Sequence, residues 1–326
     1  MVVAFFHSPR MDSSELYHIK QQFALGAYPA LIQTPLPDPS SPDYIPTILY
    51  KARAYLALGD PASALALIPD DSENVALRAV AALAQGEEGL ESLRDLCVET
   101  EAEGDEPIRE WERDAVAVLA ATAFIRAGEV EEAIETLRDS ATAGSESSAA
   151  LIHIYLSLSR PNTARKILST ALQAIPDALV LQLSEAAISL ATGAQGMSGE
   201  PYASAISFYT EQLANPSVSS VALLVGRGVV RILRGELVAA RSDLEEAESI
   251  LSRAQTVSGV DEVLAGLTIA VGLGAGKRSE AEELWSRLSS QYPSHPMVAD
   301  VSSKADLFDS CAAKFEIPPR AVVAAS

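Results

Sequence analysis

The sequence predicts an all-α chain whose helices pair and stack into a solenoid, and three observations predict it. Hydrophobic residues make up 48% of the 326 residues while aromatics make up only 6%, so Ala and Leu, both strong helix formers, carry the apolar content. One pattern of small, aromatic or aliphatic, Gly and Ala positions returns along the chain with the same internal offsets. Pro176 and Pro293 close two of those copies at the point where a helix has to stop.

The elements follow in chain order. Residues 1–13 read as extended or disordered, because the helical pattern begins only after Asp12, and both Met1 and Met11 are candidate starts. A weak copy of the pattern sits around Leu25 and Gly26. The Pro-rich segment Pro35 to Pro46 is a connector, since clustered prolines forbid helix. The first clear copy is Ala52, Tyr55, Gly59, Ala64, Ile68, and a weak one spans Ala82 to Gly86. Gly104 to Pro107 is a charged break. The copy Ala121, Phe124, Gly128, Ala133, Leu137 follows, then Ile152, Tyr155, Ser159, Ala164, Leu168, Ala171. An interrupted copy lies between Ala187 and Tyr209, with a long turn between Leu190 and Tyr202. Gly228, Arg231, Gly235, Ala240, Leu244, Ala247 form the next, and Ile269, Gly272, Gly276, Ala281, Trp285, Leu288 the last. Val298, Val301, Ala305 and Phe308 give Met297 to Phe315 helical spacing, expected to cap the array; residues 317–326 read as a flexible tail.

Each position of the pattern has a physical job. Paired small residues such as Ala52 with Ala64, or Ala121 with Ala133, let two antiparallel helices approach closely. The intervening Gly takes the positive φ that ends the first helix. The aromatic or branched residue fills the gap to the next hairpin. This is the tetratricopeptide layout, whose period is about 34 residues, and it predicts one right-handed superhelical domain over residues 14–316. A non-repetitive helical bundle and another helix-pair solenoid are the competing architectures.

Charge excludes some partners. With 24 Lys and Arg against 44 Asp and Glu, the formal net charge is −20, which repels phosphate backbones and anionic headgroups. Nucleic acid and direct membrane adsorption are therefore not expected. Cys97 and Cys311 read as buried, unpaired thiols of a reducing compartment. The apolar run near Met1 lacks a basic lead-in and is short for a secretory signal. The uncharged run from Ala115 to Ile125 falls far below the roughly 20 residues of a bilayer span, so a cytoplasmic chain is expected.

A search for chemistry returns nothing that would make an enzyme. His7, His18, His153 and His295 are scattered, and neither cysteine stands near a histidine, so no metal set forms. Gly193 to Gly199 lacks the Lys and Ser or Thr of a phosphate loop. The run Gly272 to Arg278 places Val271 and Arg278 where such a loop needs Gly and Ser or Thr. The carboxylate pairs Glu131–Glu132, Glu245–Glu246 and Glu282–Glu283 read as a solvated outer face. No catalytic residue and no cofactor is expected.

The inner wall carries the functional expectation. In a tetratricopeptide array the first helix of each hairpin lines the concave groove. Its register holds Leu56, Ile125, Leu156, Ile232 and Leu273, with Leu49, Arg53, Val118, Thr122, His153, Val225 and Val229 nearby. A continuous apolar stripe there marks a surface for a partner polypeptide, unless tight winding buries it against the chain itself.

Three stretches carry a resemblance. Glu15-Leu16-Tyr17-His18-Ile19-Lys20 leads to Phe23-Ala24-Leu25-Gly26-Ala27-Tyr28. Leu190-Ala191-Thr192-Gly193 precedes the long turn before Tyr202, with Phe208 and Glu211 beyond it. Ser294-His295-Pro296 is followed by Lys304 and Phe308-Asp309. In this order within a helical repeat array, they resemble the coatomer epsilon subunit family over nearly all of residues 14–316. The tail departs, continuing from Phe315 to Ser326 where that family ends in a short Tyr-Ala-Pro-Ser-like segment. The resemblance implies a non-enzymatic subunit of the COPI vesicle coat. It would wrap the C-terminal region of the coatomer alpha subunit in its groove and support retrograde Golgi-to-ER transport. It would sit peripherally on Golgi membranes and vesicles through the coat alone. A tetratricopeptide adaptor or co-chaperone for another client is the alternative; a co-chaperone groove would need clustered Lys, Arg and Asn, where this chain offers only scattered candidates such as Arg53 and Arg126.

Overall fold

The computed structural model describes residues 13–315, apart from 70–71, 103–107, 141–143, 194–199, 201, 255, 257, 275 and 277. Among the described residues there are seventeen α-helices and no strands. Sixteen of them form eight antiparallel hairpins in chain order. The first four are α1 (Ser14–Ala24) with α2 (Tyr28–Gln33), α3 (Tyr44–Ala57) with α4 (Pro61–Leu67), α5 (Val75–Ala84) with α6 (Leu90–Glu101), and α7 (Glu110–Ala127) with α8 (Val130–Ser140). The next four are α9 (Ser145–Ser157) with α10 (Pro161–Ala174), α11 (Leu179–Thr192) with α12 (Ala203–Leu213), α13 (Val221–Leu233) with α14 (Leu237–Ala254), and α15 (Val260–Leu273) with α16 (Arg278–Gln291). A final helix, α17 (Pro296–Ala312), follows. All five clear copies of the sequence pattern are hairpins.

The small positions do what their size allows. Ala52, Ala64, Ala133, Ala164 and Ala240 are all buried where paired helices meet. Glycine serves the same end beside Leu244: a Cβ on Gly228 or Gly266 would stand 3.0 or 2.9 Å from that side chain. So α13 and α15 both press against the Leu244 side of α14. The Pro-rich connector ends earlier than its prolines suggest, because Pro46 lies in the first turn of α3, where a missing N–H costs nothing.

Four hairpins share one turn. The left-handed residue after the first helix is Gly59, Gly128, Ser159 or Gly235. Its N–H donates to the carbonyl three residues back, on Leu56, Ile125, Leu156 or Ile232. The following N–H, of Asp60, Glu129, Arg160 or Glu236, reaches the carbonyl of Tyr55, Phe124, Tyr155 or Arg231 at 2.8–2.9 Å. Asp60 then caps α4 by accepting from the Ser63 N–H.

The stack bends until it meets itself. Odd-numbered helices touch odd-numbered neighbours from α1 to α11 and again between α13 and α15. Leu25, 1% exposed at the end of α1, is buried among Ala186, Tyr209, Val218 and Leu223 of α11 to α13. Gln22 Nε2 donates to the Ser217 carbonyl at 3.2 Å, and Ser220 Oγ donates to the Leu25 carbonyl. One hairpin further on, Ser258 Oγ donates to the Ala57 carbonyl at 3.1 Å.

The capping helix rests on the array through one turn. Val298 packs with Leu264, Ala265 and Leu288, whereas Val301 and Phe308 stay exposed. Cys97 is half-buried with its thiol pushed up to about 11 by burial, but Cys311 is exposed on α17, so the reading of two buried thiols fails there. Residues 1–12, most of the long turn before Tyr202, Gly104 to Pro107 and the tail from 316 lie outside the described residues.

Candidate interaction surface on the inner wall

The shared turn explains why the inner-wall register repeats. In each of four hairpins the residue whose carbonyl receives the left-handed N–H is the register residue itself: Leu56, Ile125, Leu156 or Ile232. The turn therefore fixes where that side chain leaves its helix, hairpin after hairpin.

Exposure divides the expected surface by depth. Ile125 is 38% and Leu273 68% exposed, and His153 opens to solvent although the walls around it hold its pKa down by burial. Leu56, Leu156 and Val229 are half-buried. Val225 and Ile232 are half-buried against the core of α13 to α15. Thr122 turns its hydroxyl onto the Val118 carbonyl of its own helix at 2.7 Å.

Leu49, Val118 and Arg53 do not belong to an open surface. Leu49 is 1% and Val118 9% exposed, both inside the main core cluster. Each stands seven residues before a register residue that keeps some surface, half-buried Leu56 or exposed Ile125, and so on the same helix face two turns deeper. Facing inward is not enough; at that depth neighbouring helices close over the face.

Arg53 is consumed by an ion pair across the curve. Its Nη2 donates to Glu146 Oε2 at 2.7 Å, and Tyr50 Oη donates to Glu146 Oε1 at 2.6 Å. Tyr50 and Arg53 come from α3 and Glu146 from the first turn of α9, three hairpins away. Phe23 of α1 stacks under the guanidinium at 4.4 Å from its ring centroid. Burial acts to raise the Glu146 pKa, but Arg53 and Tyr50 outweigh it and leave it below the usual carboxylate value. Asp114, from α7, accepts from the N–H and hydroxyl of Ser147, and burial pushes it up to about 6. Sequence reasoning missed Phe23, Tyr50, Asp114 and Glu146 as a group; a Glu in a helix's first turn is ordinary, and nothing local ties it to Arg53.

The outer carboxylates serve as surface ion pairs. Arg94 binds Glu91, Glu129 and Glu132, and Arg241 binds Glu245 and Glu280, linking successive second helices. Among the described residues no group of three His, Cys, Asp or Glu side chains could hold a metal, and no helix is long and apolar enough to cross a membrane.

A curved file of helix pairs with an aliphatic register repeated at its turns defines a helical-repeat scaffold. Within that class the family model for the coatomer epsilon subunit matches residues 12–316. The chain belongs to the coatomer epsilon subunit family. It is 26% identical over 309 residues to coatomer subunit epsilon-1 of Arabidopsis thaliana, covering 92% of this chain and 97% of that one. It is also 26% identical over 306 residues to the probable coatomer subunit epsilon of Schizosaccharomyces pombe, covering 93% of this chain and 96% of the relative.

Proposed function

We propose that this chain is a non-enzymatic structural subunit of the coatomer coat, and that its inner wall grips the C-terminal region of the alpha subunit. In this role it supports retrograde Golgi-to-ER transport and reaches membranes only through the coat. The observation that carries the reading is the aliphatic register that the shared turn repeats at Leu56, Ile125, Leu156 and Ile232, exposed at Ile125 and, at the matching position of α15, at Leu273. Apolar surface aligned over successive repeats gains free energy only when something covers it, at about 25 cal/mol per Å². The match to the coatomer family along the array supports another coat subunit as that cover, and the resemblance implies the alpha subunit. A net charge of −20 favours a partner segment with basic flanks.

The geometry weighs against a co-chaperone groove. Such a groove needs a cluster of free cations to clamp a carboxylate, and of the candidates Arg53 and Arg126, Arg53 is spent on Glu146.

The test is direct binding of the alpha C-terminal region to the wild-type chain and to an Ile125→Asp, Leu273→Asp double variant. Both side chains are exposed, so the fold tolerates the change; Ile232, half-buried in the core of α13 to α15, is the wrong target. Capture falls at least tenfold with helicity unchanged if the register is the grip, a loss of roughly 1.4 kcal/mol or more. Undiminished capture would reject it.

A further inference from the structure

The closure of the curve has a consequence for how a partner gets in. Contacts between residues 195 to 201 positions apart join the first two hairpins to the loops before α13 and α15. They convert an open file of helix pairs into a closed turn, with the aliphatic register on its inner side.

These contacts are few compared with those between successive hairpins. Among the described residues they include one buried leucine, three hydrogen bonds onto backbone carbonyls, of which the one from Ser258 lies at the surface, and the approach of Gly26 to the Ala222 methyl, where an added Cβ would stand 3.1 Å away. Each of these contacts is between uncharged groups, so parting them breaks no ion pair of their own. The closed form also carries a polar cost. Gln22 Oε1 is buried there without a hydrogen-bond partner, and water would satisfy it in the open form. The apolar part pulls the other way, since opening exposes Leu25.

We propose that this closure is a latch: it parts to admit a partner segment sideways onto the inner wall and shuts over it, so that release requires a second opening. The inference rests on the inner wall being the binding surface and adds how that surface is loaded. A closed turn otherwise admits polypeptide only along its axis, as a free terminus or as the tip of a loop, and a segment whose folded flanks are too wide to follow that path arrives through the latch.

The experiment locks the turn covalently. Ala57→Cys and Ser258→Cys are introduced with Cys97→Ser and Cys311→Ser, and a short bismaleimide links the two new thiols. Ala57 and Ser258 are already joined by a hydrogen bond, and Ser258 is exposed to reagent. The same variant capped with a monofunctional maleimide is the control. The probe is the C-terminal region of the alpha subunit, followed by stopped-flow fluorescence for association and by competition for release. The latch predicts at least tenfold slower association for the linked chain than for the capped one, and tenfold slower release when the link is made after loading. Equal association rates for linked and capped chains would overturn the latch while leaving the partner assignment standing. No capture by the unmodified chain would overturn the partner assignment and the latch with it. Failure of the linker to join the two thiols would overturn the closed turn itself.

Discussion

Replacing Glu146 with Gln asks how much the curve depends on the link that crosses it. The side chain keeps its shape and can still accept from Tyr50, but the charge facing Arg53 is gone. The Arg53 side chain is only 9% exposed, and its Nη1 already lacks a partner. An unpaired guanidinium in that setting loses its compensation without regaining water, and breaking one side of a buried pair costs about 3 kcal/mol or more. The exposed Arg278–Glu282 pair is the internal standard, with side chains 92% and 65% exposed; Glu282→Gln there should cost about 0.3 kcal/mol. Urea unfolding followed by circular dichroism reads both. A companion variant, Arg53→Met with Glu146→Gln, should recover most of the loss, because neither member of the pair is then left charged without the other. If Glu146→Gln costs no more than Glu282→Gln, the link carries nothing and the curvature is set by hairpin packing alone.

Two further outcomes follow from the same geometry. Ser159 holds φ at 57° in the turn position where the three equivalent hairpins use Gly, so Ser159→Gly should raise stability by about 1 kcal/mol; a loss would mean that the side chain makes a stabilising contact there. Asp114 is held at about 6 against an ordinary 3.8, so the fold prefers its protonated form. Its contribution therefore rises as pH falls, by about 1 kcal/mol between about pH 7 and about pH 5. That window lies above the range where Glu146, whose pKa is lowered, would lose its charge. Glu262, pushed up to about 7 by burial and by Asp261, adds in the same direction, so the difference between wild type and Asp114→Asn isolates Asp114. Parallel stability–pH curves for the two proteins would refute the assignment.

The hairpins were legible because every signal that makes them is local. A left-handed turn residue, a small residue on each side of it and a proline at the far end all act within about one repeat, and their recurrence identifies the layout. The closure and the crossing link act at another range. Arg53 meets Glu146 from 93 positions away, and Gln22 meets Ser217 from 195. No periodicity in a single sequence encodes how sharply a file of hairpins bends, because curvature accumulates from small rotations at each interface.

That limit explains why the residues expected on the inner wall differ so much in exposure. Helical spacing reports the angle of a side chain around its helix and says nothing of its depth along the axis. Leu49 and Leu56 share an angle, as do Val118 and Ile125, yet in each pair only the member nearer the turn keeps surface. The bend draws the odd-numbered helices together where Arg53, Tyr50 and Glu146 meet, and leaves them parted near the shared turns. Curvature thus converts one uniform stripe into a sealed half and an open half. Ile125, Leu156 and Leu273 keep surface at the turn side, while Leu49 and Val118, two turns deeper, are sealed in the core.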